Sequence, residues 1–231
     1  MKSIVYDEWL SKILGKQSFF LENSNNLIFK EKLLKKNTFI WTKISTLEIE
    51  KLINFQKMGF SVVDTNVQLQ LNYFKKKYLK NFIRFARPED EKSIKAIAKN
   101  SFKLSRFNMD PKISKKIASK IKVEWASNYF SGKRGEWMIV AEYKSKIVGF
   151  LQLLKKSNNT IIIDLIAVNE KYRGKGIAKN MISFAYFNCL KNLKSIEVGT
   201  QISNSSSINM YTKLGFSISS SFYVLHMHKK K

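Results

Sequence analysis

The stretch Thr160–Val168 constrains the fold of this chain more than any other. Apart from Thr160 and Asp164 it is apolar and rich in β-branched residues, the pattern of a central strand buried on both faces. It runs through Asn169-Glu170-Lys171-Tyr172 into Arg173-Gly174-Lys175-Gly176, after which Ile177, Met181 and Ala185 open a helix reaching about Leu193. A central strand that feeds through glycines straight into a helix start calls for strands and helices packed together.

The flanking sequence supplies the other elements. Ile83-Arg84-Phe85-Ala86 alternates as a strand, and Arg87-Pro88-Glu89-Asp90-Glu91 carries helix-start signals, a proline and acids near the positive end of the helix dipole. That helix runs through Ile94, Ile97 and Ala98 to about Ser101. A second helix is expected over 114–129, and an antiparallel hairpin over 137–142 and 147–154. A strand at 195–200 and a helix at 206–214 follow, and Gly215-Phe216 opens a final pair of strands ending at Met227. The class is α+β.

A boundary is expected near 78–82, after Lys75-Lys76-Lys77 and Lys80, giving a small α/β domain over 1–80 and a larger one over 81–231. The two contain a common pattern. Lys57-Met58-Gly59-Phe60-Ser61-Val62 matches Lys213-Leu214-Gly215-Phe216-Ser217-Ile218, an offset of 156 positions. A strand over 39–43 precedes the first copy, Ser45-Thr46-Leu47-Glu48 reads as a capping box, and Val67, Leu69 and Leu71 alternate as a strand after it. Either the chain is internally duplicated, or both segments use a common glycine C-cap followed by a strand. Phe55 stands where Tyr211 does and Glu48 where Asn204 does, and no glycine-rich loop precedes the first copy. The first 80 residues are therefore expected to wall a substrate pocket and to bind no coenzyme.

The net charge of +25 attracts anions of any kind. Only five of the 42 basic residues are arginine, and they are spread along the chain, which argues against a nucleic-acid reader. No apolar run is long enough to insert in a membrane, and Asp7 and Glu8 interrupt the amino-terminal apolar stretch, making it a poor signal peptide. The single cysteine, Cys189, allows no intrachain disulfide and reads as core, four residues beyond Ala185 on one helix face. His226 and His228, near the end of the sequence, read as surface residues, and no metal site is expected. A cytoplasmic setting fits.

The chemistry concentrates at 168–178. Gly174 and Gly176 allow close backbone approach, the helix start aims N–H groups and a positive dipole end at one point, and Arg173 and Lys175 add charge. This is an anion site. It is neither a Rossmann fingerprint, whose third glycine is replaced by Lys179, nor a Walker loop.

Arg173-x-x-Gly176-x-Ala178 resembles the Q/R-x-x-G-x-G/A signature of the GNAT superfamily of N-acetyltransferases. Asn204-x-x-Ser207-x-x-x-Tyr211-x-x-x-Gly215-Phe216 is similar to that family's second signature, departing at Ser207 where alanine is preferred. The resemblance implies a GNAT fold, a central mixed sheet flanked by helices, preceded here by the small α/β domain as a truncated GNAT-like repeat. It implies acetyl-coenzyme A as co-substrate, held through its pyrophosphate by Arg173, Gly174, Lys175, Gly176, Ile177 and Ala178. The backbone of Ile166, Ala167 and Val168 and the side chain of Asn204 would hold the pantetheine arm. Tyr211 would protonate the departing thiolate; its alternative is a packing aromatic beside Leu214 and Phe216, as Asn204 could be a helix cap. Asp164, expected on the same face as Ile166 and Val168, could be a base, a sugar ligand or the partner of a lysine.

Residues 82–107 and 196–225, with Glu124-Trp125-Ala126, resemble the dTDP-fucosamine acetyltransferases, which acetylate dTDP-4-amino-4,6-dideoxygalactose. The implied acceptor is the 4-amino group of a dTDP- or UDP-linked sugar in surface-polysaccharide (lipopolysaccharide or antigen) biosynthesis, with Arg106 anchoring a phosphate or else pairing locally. A protein amino terminus, another small amine, or a catalytically inactive GNAT-like binding module are the alternatives. A homodimer is compatible with the reading.

Overall fold

The computed structural model describes residues 4–22, 37–74 and 82–229. The expected boundary at 80/81, with Lys75-Lys76-Lys77 and Lys80, lies outside the described residues, as do Lys230 and Lys231. The amino-terminal part holds β1 (Ile4–Tyr6), α1 (Glu8–Leu14), β2 (Gln17–Leu21), β3 (Thr38–Ser45), α2 (Ile49–Lys57) and β4 (Ser61–Leu71). Then come β5 (Ile83–Phe85), α3 (Glu91–Asn100), α4 (Arg106–Met109), α5 (Lys115–Ser127), β6 (Trp137–Tyr143), β7 (Lys146–Ser157) and β8 (Thr160–Val168). The chain closes with α6 (Ile177–Asn188), β9 (Ser195–Gln201), α7 (Ser205–Lys213) and β10 (Ser217–Lys229).

The ends of these elements follow from local chemistry. Pro88–Asp90 forms a 3₁₀ turn in which the Asp90 carboxylate accepts from the Arg87 N–H at 2.8 Å and from Arg84 at 2.7 and 3.0 Å. This satisfies donors at the start of α3. Ser114 caps α5, its hydroxyl accepting from the Ile117 N–H. Only half of the expected capping box forms: the Glu48 carboxylate accepts from the Ser45 N–H, the Ser45 hydroxyl accepts from the Leu47 N–H instead of that of Glu48, and α2 starts at Ile49 with Glu48 as N-cap. The expected final pair of strands is one strand, β10, kinked by a bulge near Ser219 rather than broken by a turn.

The ten strands of the described residues form one sheet in the order β1-β2-β3-β10-β4-β9-β8-β7-β6-β5. The expected boundary therefore divides the chain but not the sheet, because β10 lies between β3 and β4. On the back face, α6 and α7 cover Val67, Leu69, Leu71, Ile161, Ile163, Ile196 and Val198. Beside them Phe55 of α2 packs on Ile40, Ile44 and Leu225. On the front face, α3 and α5 cover Met138, Val140, Phe150, Leu165 and Ala167, while α1, α4 and α5 cover Phe39.

The repeat seen in the sequence is a repeat of backbone. Helices α2 and α7 start and end 156 positions apart. The cap glycines have φ of 92° at Gly59 and 95° at Gly215, a region that favours glycine. The Phe60 N–H donates to the Phe55 carbonyl at 3.1 Å, and the Phe216 N–H to that of Tyr211 at 3.0 Å. Strand register obeys the same offset: Phe222 opposes Ser45 and Asn66 opposes Gln201, while Leu225 opposes Thr42 and Leu69 opposes Val198. Between β4 and β10, the pair Ser217–Gln70 maps onto Ser61–His226, and Asn66–Phe222 maps onto itself. A local twofold axis thus passes through Asn66 and Phe222, and each unit's second strand inserts between the two strands of the other.

Candidate acetyl-transfer site

Strand β8 ends at Val168, and a 3₁₀ turn at Glu170–Tyr172 leads to Gly174 and Gly176, with φ of 76° and 73°. A side chain would meet no obstacle at either glycine, so the positive φ is what requires them. Gly176 is the N-cap of α6 and offers no side-chain acceptor to the first turn. The N–H groups of that turn, including those of Ile177 and Ala178, face outward with the dipole of a 12-residue helix behind them. Arg173 is tied back to the strand end, its Nε donating to the Val168 carbonyl at 3.1 Å, and the Lys175 ammonium lies 5.6 Å from the Tyr172 ring. Residues 173–178 form a glycine turn and helix start, where the sequence leads one to expect an anion site.

Beside this turn the sheet opens. Parallel pairing of β8 with β9 runs from Thr160–Ser195 to Ile163–Val198 and stops. Asp164 is the extra residue of a β-bulge, since Leu153 opposes Ile163 and Gln152 opposes Leu165 on β7. From Asp164 to Val168, including Ile166 and Ala167, the edge of β8 facing β9 has no ladder partner. Strands β8 and β9 therefore part beside the turn.

On the back face α7 supplies Tyr211, which is 2% exposed and packs on Phe216 with ring centroids 5.2 Å apart. Burial raises the Tyr211 hydroxyl well above the ordinary phenol range and keeps it protonated, the form that can donate. Asn204 is the N-cap of α7: its side-chain carbonyl accepts from the Ser207 N–H and its amide donates to Thr200, both at 3.3 Å. The capping alternative therefore holds for Asn204, at the end of β9 where the gap opens.

Cationic side chains gather on the front side of the gap. Asp164 does not share a face with Ile166 and Val168 as expected, because the bulge turns it the other way. Ile166 and Val168 pack into the back core, whereas Asp164 accepts from Trp125 Nε1 at 2.8 Å and from Arg134 at 2.7 and 2.7 Å. Gln152 adds a fourth donor at 3.3 Å. Arg106, from α4, lies 3.6 Å above the Trp41 ring and 4.5 Å from that of Phe107. Its Nη1 and the Trp41 Nε1 are both enclosed, and among the described residues neither has an acceptor. Burial pushes the Arg106 guanidinium down to about 9, against the smaller opposing pull of Asp7 and Asp64. Lys122 lies 4.2 Å over Trp125 and is pushed down to about 8 by burial, with Asp164 opposing the shift and Arg106 and Arg134 adding to it. Lys43 is reached by solvent yet crowded by protein, which lowers it as well. Lys122 thus bridges the surroundings of Arg106 and Asp164, two residues that the sequence proposed separately.

Sequence reasoning missed Trp41, Lys43, Asp64, Lys122 and Arg134. Asp64 had a signal, a carboxylate interrupting the strand that begins Ser61-Val62-Val63. The expectation that His226 and His228 lie on the surface is overturned. Their side chains are 1% and 7% exposed, and Asp110 Oδ2 accepts from His226 Nδ1 and His228 Nε2 at 2.7 Å each. The cause is β10's interior position in the sheet. Ligand atoms of these three residues lie within 4.8 Å of one another, and Phe39 and Phe107 pack against the His226 ring. Burial pushes His226 down to about 4, so it is neutral at pH 7. Cys189 is buried as expected, its thiol pushed up to about 12.

A ten-stranded mixed sheet that opens beside a glycine turn is the GNAT fold, and residues 105–216 match the acetyltransferase (GNAT) family. The chain carries a GNAT-family acetyltransferase domain. It is 33% identical over 149 residues to the spore coat polysaccharide biosynthesis protein SpsD of Bacillus subtilis, covering 61% of this chain and 48% of that one. It is 35% identical over 74 residues to a streptothricin acetyltransferase of Escherichia coli, covering 32% and 42%. The chain thus aligns with less than half the length of either relative. A functionally unknown conserved protein from Staphylococcus epidermidis has the same fold over 99% of this chain and 92% of its own, with a TM-score of 0.66 at 13% identity. That match includes the amino-terminal unit.

Proposed function

We propose that this protein transfers the acetyl group of acetyl-coenzyme A to the 4-amino group of a dTDP- or UDP-linked amino-deoxy sugar. The coenzyme pyrophosphate sits on the turn 173–178, and its pantetheine arm follows the free edge of β8 at Ile166, Ala167 and Val168. The thioester reaches the gap between β8 and β9, with Asn204 at its mouth. The amine enters from the front cleft, forms the C–N bond, and the C–S bond breaks. Tyr211 gives its proton to the departing sulfur, a contribution of about 10²- to 10⁴-fold for general acids of this kind. Asp164, committed to Arg134, Trp125 and Gln152, fixes the cleft wall and does not take the proton.

One observation carries the choice of acceptor: Arg106 Nη1 and Trp41 Nε1 are enclosed side by side with no acceptor among the described residues, beside Lys43. Two orphaned donors and a lysine suit a phosphate, and an aromatic ring suits a base or sugar. The name of the Bacillus relative, polysaccharide biosynthesis, agrees with a sugar acceptor. In the amino-terminal part, β3 and β4 wall this cleft. Among the described residues no helix is long and apolar enough to cross a membrane, and we place the reaction in the cytoplasm.

Purified protein with labelled acetyl-coenzyme A and a panel of amino-sugar nucleotides, peptides and polyamines tests the reading. Transfer to a 4-amino sugar nucleotide is expected, and transfer to peptides alone would overturn it. The streptothricin relative's name keeps a different small amine as the second reading. The intact turn and Tyr211 argue against an inactive module.

A further inference from the structure

We propose that Asp64, on the amino-terminal strand β4, is the general base that removes a proton from the incoming ammonium group. This rests on the acetyltransferase reading above. Strand β4 runs antiparallel beside β9, with Asn66 opposite Gln201, the last residue of β9. Asp64 lies two positions further along, just past the end of β9 and on the side where β9 and β8 have separated. Val67, Leu69 and Leu71 face the back core, so Asp64, Asn66 and Gln68 face the front cleft.

The surroundings of Asp64 are those of a proton acceptor. Among the groups that favour its charged form are two neutral neighbours, the Thr65 N–H and the Gln201 side chain, whose pull is weaker than the effect of burial. Lys43 from β3 and Arg106 from α4 act on it only through space, and across on β10 it meets the uncharged Val224. Among the described residues it makes no ion pair. Burial outweighs these influences and raises its carboxyl to about 6, near the value a base needs at neutral pH. Asp164, a second carboxylate on the front side, is locked to a guanidinium. Two acids on the front side with opposite surroundings mark a division of roles. The twofold argues against a purely structural need for Asp64, because the equivalent position on β10 is Ser220, an exposed serine on an equally bulged strand.

The protons balance. Asp64 takes one proton from the ammonium and frees its lone pair, which attacks the thioester carbon. As the C–S bond breaks, the sulfur gains a proton from Tyr211. The proton that nitrogen loses on becoming an amide replaces the one that Tyr211 gave. Asp64 then releases its own to solvent, which leaves amide, free coenzyme thiol and one proton.

The test compares wild type and Asp64→Asn using labelled acetyl-coenzyme A. The ammonium acceptors are dTDP-4-amino-4,6-dideoxygalactose, a peptide amine and spermidine; hydroxylamine, unprotonated at neutral pH, is the control. For the ammonium acceptor that turns over, wild-type kcat/KM should rise about tenfold per pH unit below 6 and level above it. Asp64→Asn should abolish that limb and lower kcat about 10²-fold, with coenzyme Kd unchanged and hydroxylamine transfer within twofold of wild type. The base role is overturned if the limb survives, if ammonium transfer stays within twofold, or if hydroxylamine transfer falls in parallel. Transfer to peptide or spermidine but not to the sugar would sink the substrate while leaving the base testable. With no ammonium acceptor at all, both fall.

Discussion

Phe55 and Tyr211 occupy equivalent places in two copies of one strand–helix–strand unit. Ring centroids are 5.0 Å from Phe60 in the first and 5.2 Å from Phe216 in the second. The helices have matching ends, the cap glycines differ by 3° in φ, and the bulges of β4 and β10 fall at matching positions. The two differ in what they present. The second has the phenol of Tyr211 and the amide of Asn204 where the first has Phe55 and Glu48; the first has Trp41, Lys43 and Asp64 where the second has Glu197, Gly199 and Ser220. Packing and the glycine C-cap are thus satisfied twice by the same means, while in the proposed reading the coenzyme residues belong to one copy and the acceptor residues to the other.

The largest expected effect comes from making the copies alike at the phenol. Tyr211→Phe should lower kcat by about 10²- to 10⁴-fold, with coenzyme affinity by calorimetry and Tm nearly unchanged, because Phe55 already packs well in the equivalent place. Unchanged turnover would make Tyr211 a packing residue like its counterpart.

His226 corresponds to Gln70, and here the copies should differ in acid. His226 is pushed down to about 4 in the folded protein against an ordinary 6.5, so protonation favours the unfolded chain. Its contribution is complete above pH 6.5 and lost as the pH falls towards 4, roughly 3 kcal/mol in all. Hydrogen bonds from the two histidines hold Asp110 below the ordinary carboxylate range against its burial, so its own contribution is lost in the same direction, at still lower pH. Urea unfolding at pH 7 and 4.5 reads the loss, and His226→Gln should flatten it.

The acceptor side of the first copy is checked through Arg106. Arg106→Met should raise KM for an anionic acceptor about 10- to 100-fold with kcat little changed, and should not lower Tm, since the lost guanidinium had an unpartnered buried donor. The smallest effect tests the symmetry itself. Gly59→Ala and Gly215→Ala should each cost about 1 kcal/mol in chemical denaturation, because both lie at positive φ. Gly215→Ala should cost slightly more, as its methyl would lie 3.4 Å from Leu71. Unequal losses beyond that contact would mean the two caps are not equivalent.

Local signals made much of this legible. Glycines after Lys57-Met58 and Lys213-Leu214, the apolar run of β8 and the turn at 173–176 each reflect nearby residues, and the elements fall within a few positions of expectation. Periodicity cannot tell which strands pair, so neither the insertion of β10 between β3 and β4 nor the burial of His226 could be read. A bulge reverses facing without changing composition, which is why Asp164 was placed on the wrong side. Strands β1 and β2 are short, three and five residues, and left no pattern to detect.

The place of β10 has a consequence for how the molecule is made. Strands β3 and β4 are separated by about one helix in sequence, yet neither touches the other in the sheet, and the gap between them is filled only by residues 217–229. During synthesis the sheet therefore stays open between β3 and β4 until the ribosome has delivered β10. Such distant partners make for slow closure. A chain halted before β10 would expose two open strand edges, each a template for pairing with another chain.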